Sequence, residues 1–384
     1  MITIHNAKKI LKVHTMKTGK SIPEFNVENP AKVFFVPVKT GESISSIAGK
    51  TNHIMERANV TSVIEENTLV AVKQHFGEKG NENYIKPLIT KRVVDLIKGS
   101  NAWPLLVETN TLYKGERSDS YHHLMIVHNH GFSIENVGAP IVVMDGVHGQ
   151  NQRPVAIPGK HFREVNLVSD LPFFNSMFIV SHVKGHMLSA MGGAIKNLAM
   201  GFASRAGKLA QHNDFKPVVN HNKCTLCQVC TNYCPEEAIK RGNDRIEVNN
   251  EKCIGCGECY AACQFDAISF KWEEADRKFN EKMAEHAFGA VINHHGKVAY
   301  LNFMIDIAKQ CDCWSDDNPV ICDNVGIFAS YDPVAIDQAC LDVGTEKLGK
   351  DVFQEMWPEL DATFQLEHGE TIGMGTRNYT LIEI

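Results

Sequence analysis

The apolar positions of this chain fall mostly in short unbroken runs rather than in strict alternation. Residues 32–38 (KVFFVPV), 68–72 (TLVAV), 103–107 (WPLLV), 141–144 (IVVM) and 177–180 (MFIV) each read as a strand buried on both faces. Helical spacing separates them. Residues 43–59 predict one helix, and Leu88, Val93, Val94, Leu96 and Ile97 predict an amphipathic one over residues 87–98. Strands without alternation, separated by helices, predict a mostly parallel α/β sheet. The pattern breaks near residue 214 and resumes with apolar runs at 299–307 and 320–328. Between them, residues 214–272 are polar and cysteine-rich, and 273–290 form a charged helical stretch. Asp332 before Pro333 supplies a cap and a first-turn residue for a later helix, and residues 371–384 end in a strand-like run. The expected organisation is an N-terminal extension (1–30), a discontinuous α/β domain (31–213 and 273–384) and an α+β insert (214–272).

A length of 384 residues fits two domains, or one domain carrying an insert. Hydrophobic residues make up 43% and charged residues 22%, which excludes wholesale disorder. No apolar run approaches the ~18 residues of a membrane helix, and residues 1–20 have no apolar core of a secretory signal. A cytoplasmic protein without a membrane partner is therefore expected. The net charge of −6 gives no footprint for nucleic acid and suits docking on a basic partner.

Cysteine changes the picture. Eight of the 12 cysteines lie in two runs of the form C-x-x-C-x-x-C-x-x-x-C, a spacing that points to metal clusters rather than disulfides. Cys224, Cys227, Cys230 and Cys234 recur 29 residues later as Cys253, Cys256, Cys259 and Cys263. The flanks repeat as well: Pro-Glu-Glu-Ala-Ile at 235–239 matches Gln-Phe-Asp-Ala-Ile at 264–268. Such a unit is too small to have a core except through its metal centres. Structural zinc is the competing reading, but zinc sites use C-x-x-C pairs rather than two four-cysteine runs.

This segment resembles the bacterial-type ferredoxins that hold two [4Fe–4S] clusters. Pro235 matches their Cys-Pro, whereas Gln264 departs from it without removing a ligand. In that family the fourth cysteine of each run serves the other cluster. The resemblance thus implies one cluster on Cys224, Cys227, Cys230 and Cys263, and a second on Cys253, Cys256, Cys259 and Cys234.

Segments outside the insert resemble the DUF362 family, a domain of unknown function often fused to a ferredoxin. They are residues 70–80, 108–117 (ETNTLYKGER), 130–132, 181–201 (SHVKGHMLSAMGGAIKNLAMG), 205–212, 311–313 and 326–339. The family implies a fold more than a substrate. The run Val70-Ala71-Val72-Lys73 also imitates the lysine strand of protein kinases, but no glycine loop, H-R-D or D-F-G accompanies it.

The segment 181–201 gathers His182, Lys184, His186, Gly192, Gly193, Lys196 and Asn197. The glycine pair allows close backbone approach to a ligand or a tight turn into a helix, with Lys196 and Asn197 placed beyond it for a carboxylate or phosphate. The same segment resembles the lactate racemase family around its P-H…G-G-x-K-S stretch. By residue match His186 takes the acid/base role and Lys196 the place of the lysine that carries a nickel-pincer cofactor. Asn197 replaces the family's serine, so the resemblance implies a shared fold rather than a shared cofactor.

Cys311 and Cys313 put two thiols on one face of an extended segment, with Asp312 and Cys322 near in sequence. A third metal centre or a redox-active thiol group is one reading; small buried residues are the other. Histidines gather at 122, 123, 128 and 130 and at 294 and 295, and each alone is more often structural than a ligand. Asp145, Asp323 and Asp332 end apolar strands, where α/β proteins place ligands. No G-x-G-x-x-G follows a strand, which argues against a nicotinamide site of that type.

Three functions follow. The first is an iron–sulfur oxidoreductase, served by a redox partner protein, in which two [4Fe–4S] clusters pass electrons to or from an α/β domain that holds a small anionic substrate or a further redox centre, with His186 and Lys196 as catalytic groups and Lys73, Asn110, Arg117 and Lys208 as substrate contacts. The second is an electron carrier or assembly factor that docks on a partner enzyme. The third is a non-redox isomerase or ligase using Lys196 and His186. The first predicts a closed polar pocket around residues 182–197 within electron-transfer reach of a cluster, and the second predicts exposed cluster edges and a pocket filled by side chains.

Overall fold

Unbroken apolar runs need cover on both faces, and here they receive it in one sheet of eight strands. In the computed structural model, which describes residues 30–113, 115–212, 216–234, 236–253, 257–269, 277–315 and 318–384, these are β1 (Ala31–Pro37), β2 (Leu69–Gln74), β3 (Trp103–Glu108), β4 (Ile141–Val143), β5 (Ser176–His182), β6 (Val298–Met304), β7 (Gly326–Ser330) and β8 (Tyr379–Glu383). Residues 1–29 of the expected extension, Pro235, Cys256 and the beginning of the charged stretch at 273 lie outside the described residues.

The strand order is β8-β1-β7-β6-β5-β2-β3-β4. All neighbours are parallel except β7, which runs antiparallel to both β1 and β6. The exception has a local cause. Residues 305–325 form no crossover helix among the described residues, so the chain turns back beside β6 instead of passing over the sheet. The run predicted at 320–328 accordingly becomes a strand only at Gly326. Val320 makes a lone bridge to Ala308, and both Val320 and Ile321 are exposed.

Side chains alternate between two cores, as the pleat requires. Val70, Val72, Leu106, Phe178 and Val180 point to one side, beneath helices α1 (Ile44–Arg57) and α2 (Pro87–Gly99). Ala71, Val107, Met177 and Ile179 point to the other, against α3 (Ala194–Gly201), α5 (Arg277–Val291) and α6 (Pro333–Leu348), with α4 (Arg205–His212) following α3. Ser43 caps α1 by accepting from Ser46 N, and Asp332 caps α6 by accepting from Val334 N and Ala335 N.

From β2 the chain adds β3 and β4 on one side, then returns to place β5 and β6 on the other. The order therefore reverses between β2 and β5. In open α/β sheets this reversal leaves a crevice at the carboxyl ends of the strands. Two short hairpins had no sequence expectation: Arg153–Ala156 with Glu164–Leu167, and Lys184–His186 with Ala190–Gly192. The second carries Lys184 and His186 to the crevice.

The cysteine-rich segment is built from two antiparallel pairs, Val218–Val219 with Ile268–Ser269 and Ile239–Arg241 with Ile246–Val248. A short helix follows within each cysteine run, Val229–Asn232 and Glu258–Ala262. Among the described residues its core is Cys230, Cys259 and three isoleucines, with further cysteines packed against it. Its second half sits directly on the α/β domain. Tyr260 packs on Leu112 and Leu209, and a Cβ on Gly257 would fall 2.6 Å from Leu209 Cδ2.

Candidate functional site

A cavity of about 550 Å³ opens at the reversal point. The ends of β2, β3 and β5 supply Lys73, Glu108 and His182, and the residues after β3 supply Asn110, Tyr113 and Arg117. The 184–192 hairpin adds Lys184 and His186, α3 adds Lys196 and Asn197, and α4 adds Lys208 and His212. Cys313 and Trp314 close a further side. All six residues expected to contact substrate or catalyse, Lys73, Asn110, Arg117, His186, Lys196 and Lys208, line this one cavity.

Most of its cations are already paired. Lys73 Nζ lies 3.0 Å from Glu108 Oε1 and donates to Asn197 Oδ1 at 2.8 Å. Arg117 Nε donates to Glu78 Oε2 at 3.1 Å. Lys184 Nζ donates to His182 O at 2.6 Å and lies 3.3 Å from Asp312 Oδ2. Lys208 donates to Thr109 Oγ1 at 2.7 Å and to Asn110 O, while Asn110 N donates to Asp145 Oδ1 at 2.9 Å. Lys196 has no hydrogen-bond or ion-pair partner among the described residues. Burial, reinforced by Lys184, pushes its ammonium down to about 7 against the opposing pull of Asp312 and Glu108. Burial likewise brings Lys208 to about 8, with Asp145 and Glu108 opposing.

The histidines divide by role. His186 Nδ1 lies 2.9 Å from Ser189 Oγ, and that hydroxyl donates its own proton to Met191 O. Nδ1 therefore carries the hydrogen, and Nε2 keeps a lone pair. Burial and the nearby Lys196 hold this ring well below its ordinary range, so it is neutral. His75 has the opposite tautomer: Nδ1 accepts from Gly77 N at 3.0 Å, which leaves Nε2–H as a donor. Both His182 nitrogens face acceptors, Asp312 Oδ1 at 2.7 Å and Ile305 O at 2.8 Å, and only the doubly protonated ring makes both bonds. Burial raises the Asp312 carboxyl, but His182 and Lys184 outweigh it and hold Asp312 well below the usual carboxylate range. Glu108 Oε2 is buried without a donor.

Two expectations about the glycine segment change. The first turn of α3 does not await a ligand: Asp337 fills it, accepting from Ala194 N at 2.7 Å and Ile195 N at 2.9 Å. A Cβ on Gly193 would fall 2.3 Å from Asp337 Oδ1, so the glycine makes room for a carboxylate of the chain itself. Asn197 does not reach outward either; it accepts from Lys73 and donates to Val180 O and Ser181 Oγ. At the other end of α3, a Cβ on Gly201 would lie 1.7 Å from Lys73 Cε. Gly201→Ala must displace Lys73 from Glu108, and we expect a loss of about 1–3 kcal/mol, read as a lower Tm in thermal unfolding.

Cys311, Cys313 and Cys322 do not converge. Cys311 and Cys313 are joined as a disulfide with Cα atoms 5.2 Å apart, while Cys322 lies elsewhere, beside Asp323, Lys350 and Glu355. Among the described residues no group of three or more His, Cys, Asp or Glu side chains is spaced for a single metal ion. Most remaining histidines with described partners serve the fold. His130 bonds through Nδ1 to Phe76 O and stacks on Tyr84, and His294 bonds to Phe174 O. Asp332 caps α6, and Asp323 accepts from Thr40 at the surface. His75, Glu108, Tyr113 and His212 were not singled out beforehand. The signal for two of them was positional: His75 lies two residues beyond Lys73, and Glu108 ends the neighbouring strand.

In the insert, the thiols of Cys224, Cys227, Cys230 and Cys263 line one small cavity. Burial and the neighbouring thiols of Cys224, Cys227 and Cys263 push Cys230 up. A cubane spreads its thiolates over four irons, so this donor set suits a cluster where it would not suit one ion. Each fourth cysteine also accepts a backbone hydrogen bond from four residues on: Ala238 N to Cys234 Sγ at 3.2 Å and Ala267 N to Cys263 Sγ at 3.4 Å. Of the second set that the ferredoxin resemblance implies, Cys234, Cys253 and Cys259 are described, and Cys256 lies outside the described residues.

Fold and site together define an α/β domain with a cationic cavity and a ferredoxin-type iron–sulfur insert docked beside it. The chain belongs to the DUF362 family, described as a domain of unknown function, whose sequence model matches residues 70–342. It is also similar to curated iron–sulfur proteins over much shorter stretches. It is 29% identical over 87 residues to the pyruvate synthase subunit PorD of Methanothermobacter marburgensis, covering 23% of this chain and 100% of that one. It is 40% identical over 71 residues to the putative oxidoreductase AegA of Escherichia coli, 16% of this chain and 11% of that one. It is 38% identical over 55 residues to the electron transport protein HydN of Escherichia coli, 13% and 31%. Among solved structures, the lactate racemase apoprotein of Thermoanaerobacterium thermosaccharolyticum matches with a TM-score of 0.38 and 13% identity, covering 71% of this chain and 50% of that one. At that score it carries no weight for cofactor or reaction. No helix of the described residues is long and apolar enough to cross a membrane.

Proposed function

We propose that this protein is an iron–sulfur reductase that holds a small anionic substrate in the cavity at the β2/β5 reversal and takes electrons from a redox partner protein through two [4Fe–4S] clusters of the insert. One observation carries the reading: helix α4 joins the two sites. Its Leu209 packs against Gly257 and Tyr260 of the insert, and its Lys208 and His212 line the cavity. The iron–sulfur and electron-transport relatives support the electron half of the proposal. The cavity, which side chains leave unfilled, supports an enzyme over a carrier.

The clusters, when bound, would supply single electrons. The rest falls to the side chains. Lys196 Nζ, which has no hydrogen-bond or ion-pair partner among the described residues, binds the anionic group of the substrate and holds a proton for it. Glu108 Oε2 accepts a hydrogen from a substrate hydroxyl or amine. The His75 Nε2–H donates and the His186 Nε2 lone pair accepts, which fixes orientation on the two sides. The net reduction places two electrons and two protons on the substrate, and the Lys196 ammonium supplies one proton.

Anaerobically purified protein is expected to contain about eight iron and eight sulfide. Once reduced, its visible absorbance should recover when an oxidised small anion from a panel of 2-oxo acids and unsaturated carboxylates is added. Protein that holds both clusters, ignores the whole panel and is oxidised only by a partner protein would instead be the carrier. Protein that purifies with nickel would favour the isomerase.

A further inference from the structure

We infer that Cys311 and Cys313 are a redox-active dithiol/disulfide pair in the cavity wall, which stores two electrons between single-electron delivery and a two-electron substrate. This rests on the reductase reading above. Three observations place the pair in the chemistry rather than in the core. Cys313 lines the cavity together with Trp314, while Cys311 behind it is buried. Asp312, between them, accepts from His182 and pairs with Lys184, so the pair's backbone is tied to two other cavity residues. Tyr113, also in the cavity wall, has its hydroxyl 2.9 Å from Cys313 O, which fixes the segment from the other side. A disulfide with a structural purpose closes a long loop; this one spans two residues and constrains almost nothing in the unfolded chain.

The step balances. The S–S bond breaks as two electrons arrive singly from the reduced iron–sulfur clusters, and the two sulfurs take up two protons from solvent. The bond re-forms when the two electrons pass to the substrate with one proton from the thiols and one from the Lys196 ammonium, and the second thiol proton restores that ammonium. The store answers a mismatch, since each cluster moves one electron while saturating a carbon–carbon or carbon–oxygen double bond takes two.

The test uses the full chain with its clusters in place. Oxidised protein is denatured in acid, treated with N-ethylmaleimide and analysed by peptide mass spectrometry, and reduced protein is treated alike. The expected result is that Cys311 and Cys313 are unlabelled in the first sample and both labelled in the second. In a reductive titration, wild-type protein should take up two more electron equivalents than Cys311→Ser/Cys313→Ser protein of equal iron and sulfide content. Labelling of both thiols in the oxidised protein, or equal electron uptake by the two forms, would overturn the inference and leave the reductase reading standing. Protein without iron or sulfide would remove the reductase reading, while dithiothreitol titration of the labelling still reads the pair. Cys322→Ser, at a cysteine outside the cavity, should change neither measurement.

Discussion

Cys263→Ala protein is expected to lose about half of its iron and sulfide, and the thiols it uncovers are expected to be Cys224, Cys227 and Cys230. Chain order alone suggests the opposite, because Cys263 closes the second run. The structure puts Cys263 in the cavity lined by the first run, where Cys224, Cys227 and Cys263 each act electrostatically on Cys230. Alkylation of the folded variant with peptide mass spectrometry reads the outcome directly. Labelling at Cys253, Cys256 and Cys259 instead would mean that each run keeps its own cluster, and the ligand sets would have to be redrawn. The functional effect should be large, since removing one ligand opens a whole cluster. Reoxidation of the reduced protein by substrate is expected to slow at least ~100-fold, whereas the α/β domain, whose core does not include the insert, should keep its fold.

The sheet was legible because its central strands are buried on both faces. Each run such as residues 177–180 is apolar at every position, and its shortness, with helical spacing on either side, reads as strand rather than buried helix. The antiparallel turn into β7 was not legible, since direction depends on how residues 305–325 return and apolar content carries no direction. The cluster cysteines were legible from spacing and repetition, which chance does not produce. The cavity was half legible. Its lysines were found because they lie in segments that resemble the DUF362 family, with Lys196 just beyond the glycine pair. Glu108 and His75 were not, because a carboxylate or imidazole at a strand end looks like ordinary surface until the neighbouring strand brings Lys73 beside it. The glycine pair misled in an instructive way. Gly193 does admit a carboxylate to the start of α3, but Asp337 supplies it from 144 residues away, a pairing no local pattern reveals.

Lys196→Met protein is expected to be more stable than wild type near neutral pH and close to inactive. The lysine has burial without a partner, so the folded chain holds its ammonium at about 7 whereas the unfolded chain holds it in the ordinary lysine range. The unfolded state therefore binds more protons between those values, and wild-type stability rises with pH across that interval. Below about 7 both states are charged and the penalty is complete; above the ordinary lysine range both are neutral and it vanishes. The cavity admits water, which weakens the penalty, and we expect the variant to gain about 1–2 kcal/mol at pH 6.5 with the gap narrowing by pH 9. Thermal melts of both proteins across that range test the sign. A bound anion should reverse the preference. It favours the ammonium, so binding takes up a proton and affinity falls as pH rises through about 7 in the wild type, a dependence the methionine variant should lack. Reoxidation by substrate should drop at least ~100-fold in the variant, since the substrate loses both its anchoring cation and a proton source. A variant that is less stable than wild type, or that keeps the pH dependence of anion binding, would move the anion site to Lys208, the other cavity lysine that burial brings near neutrality.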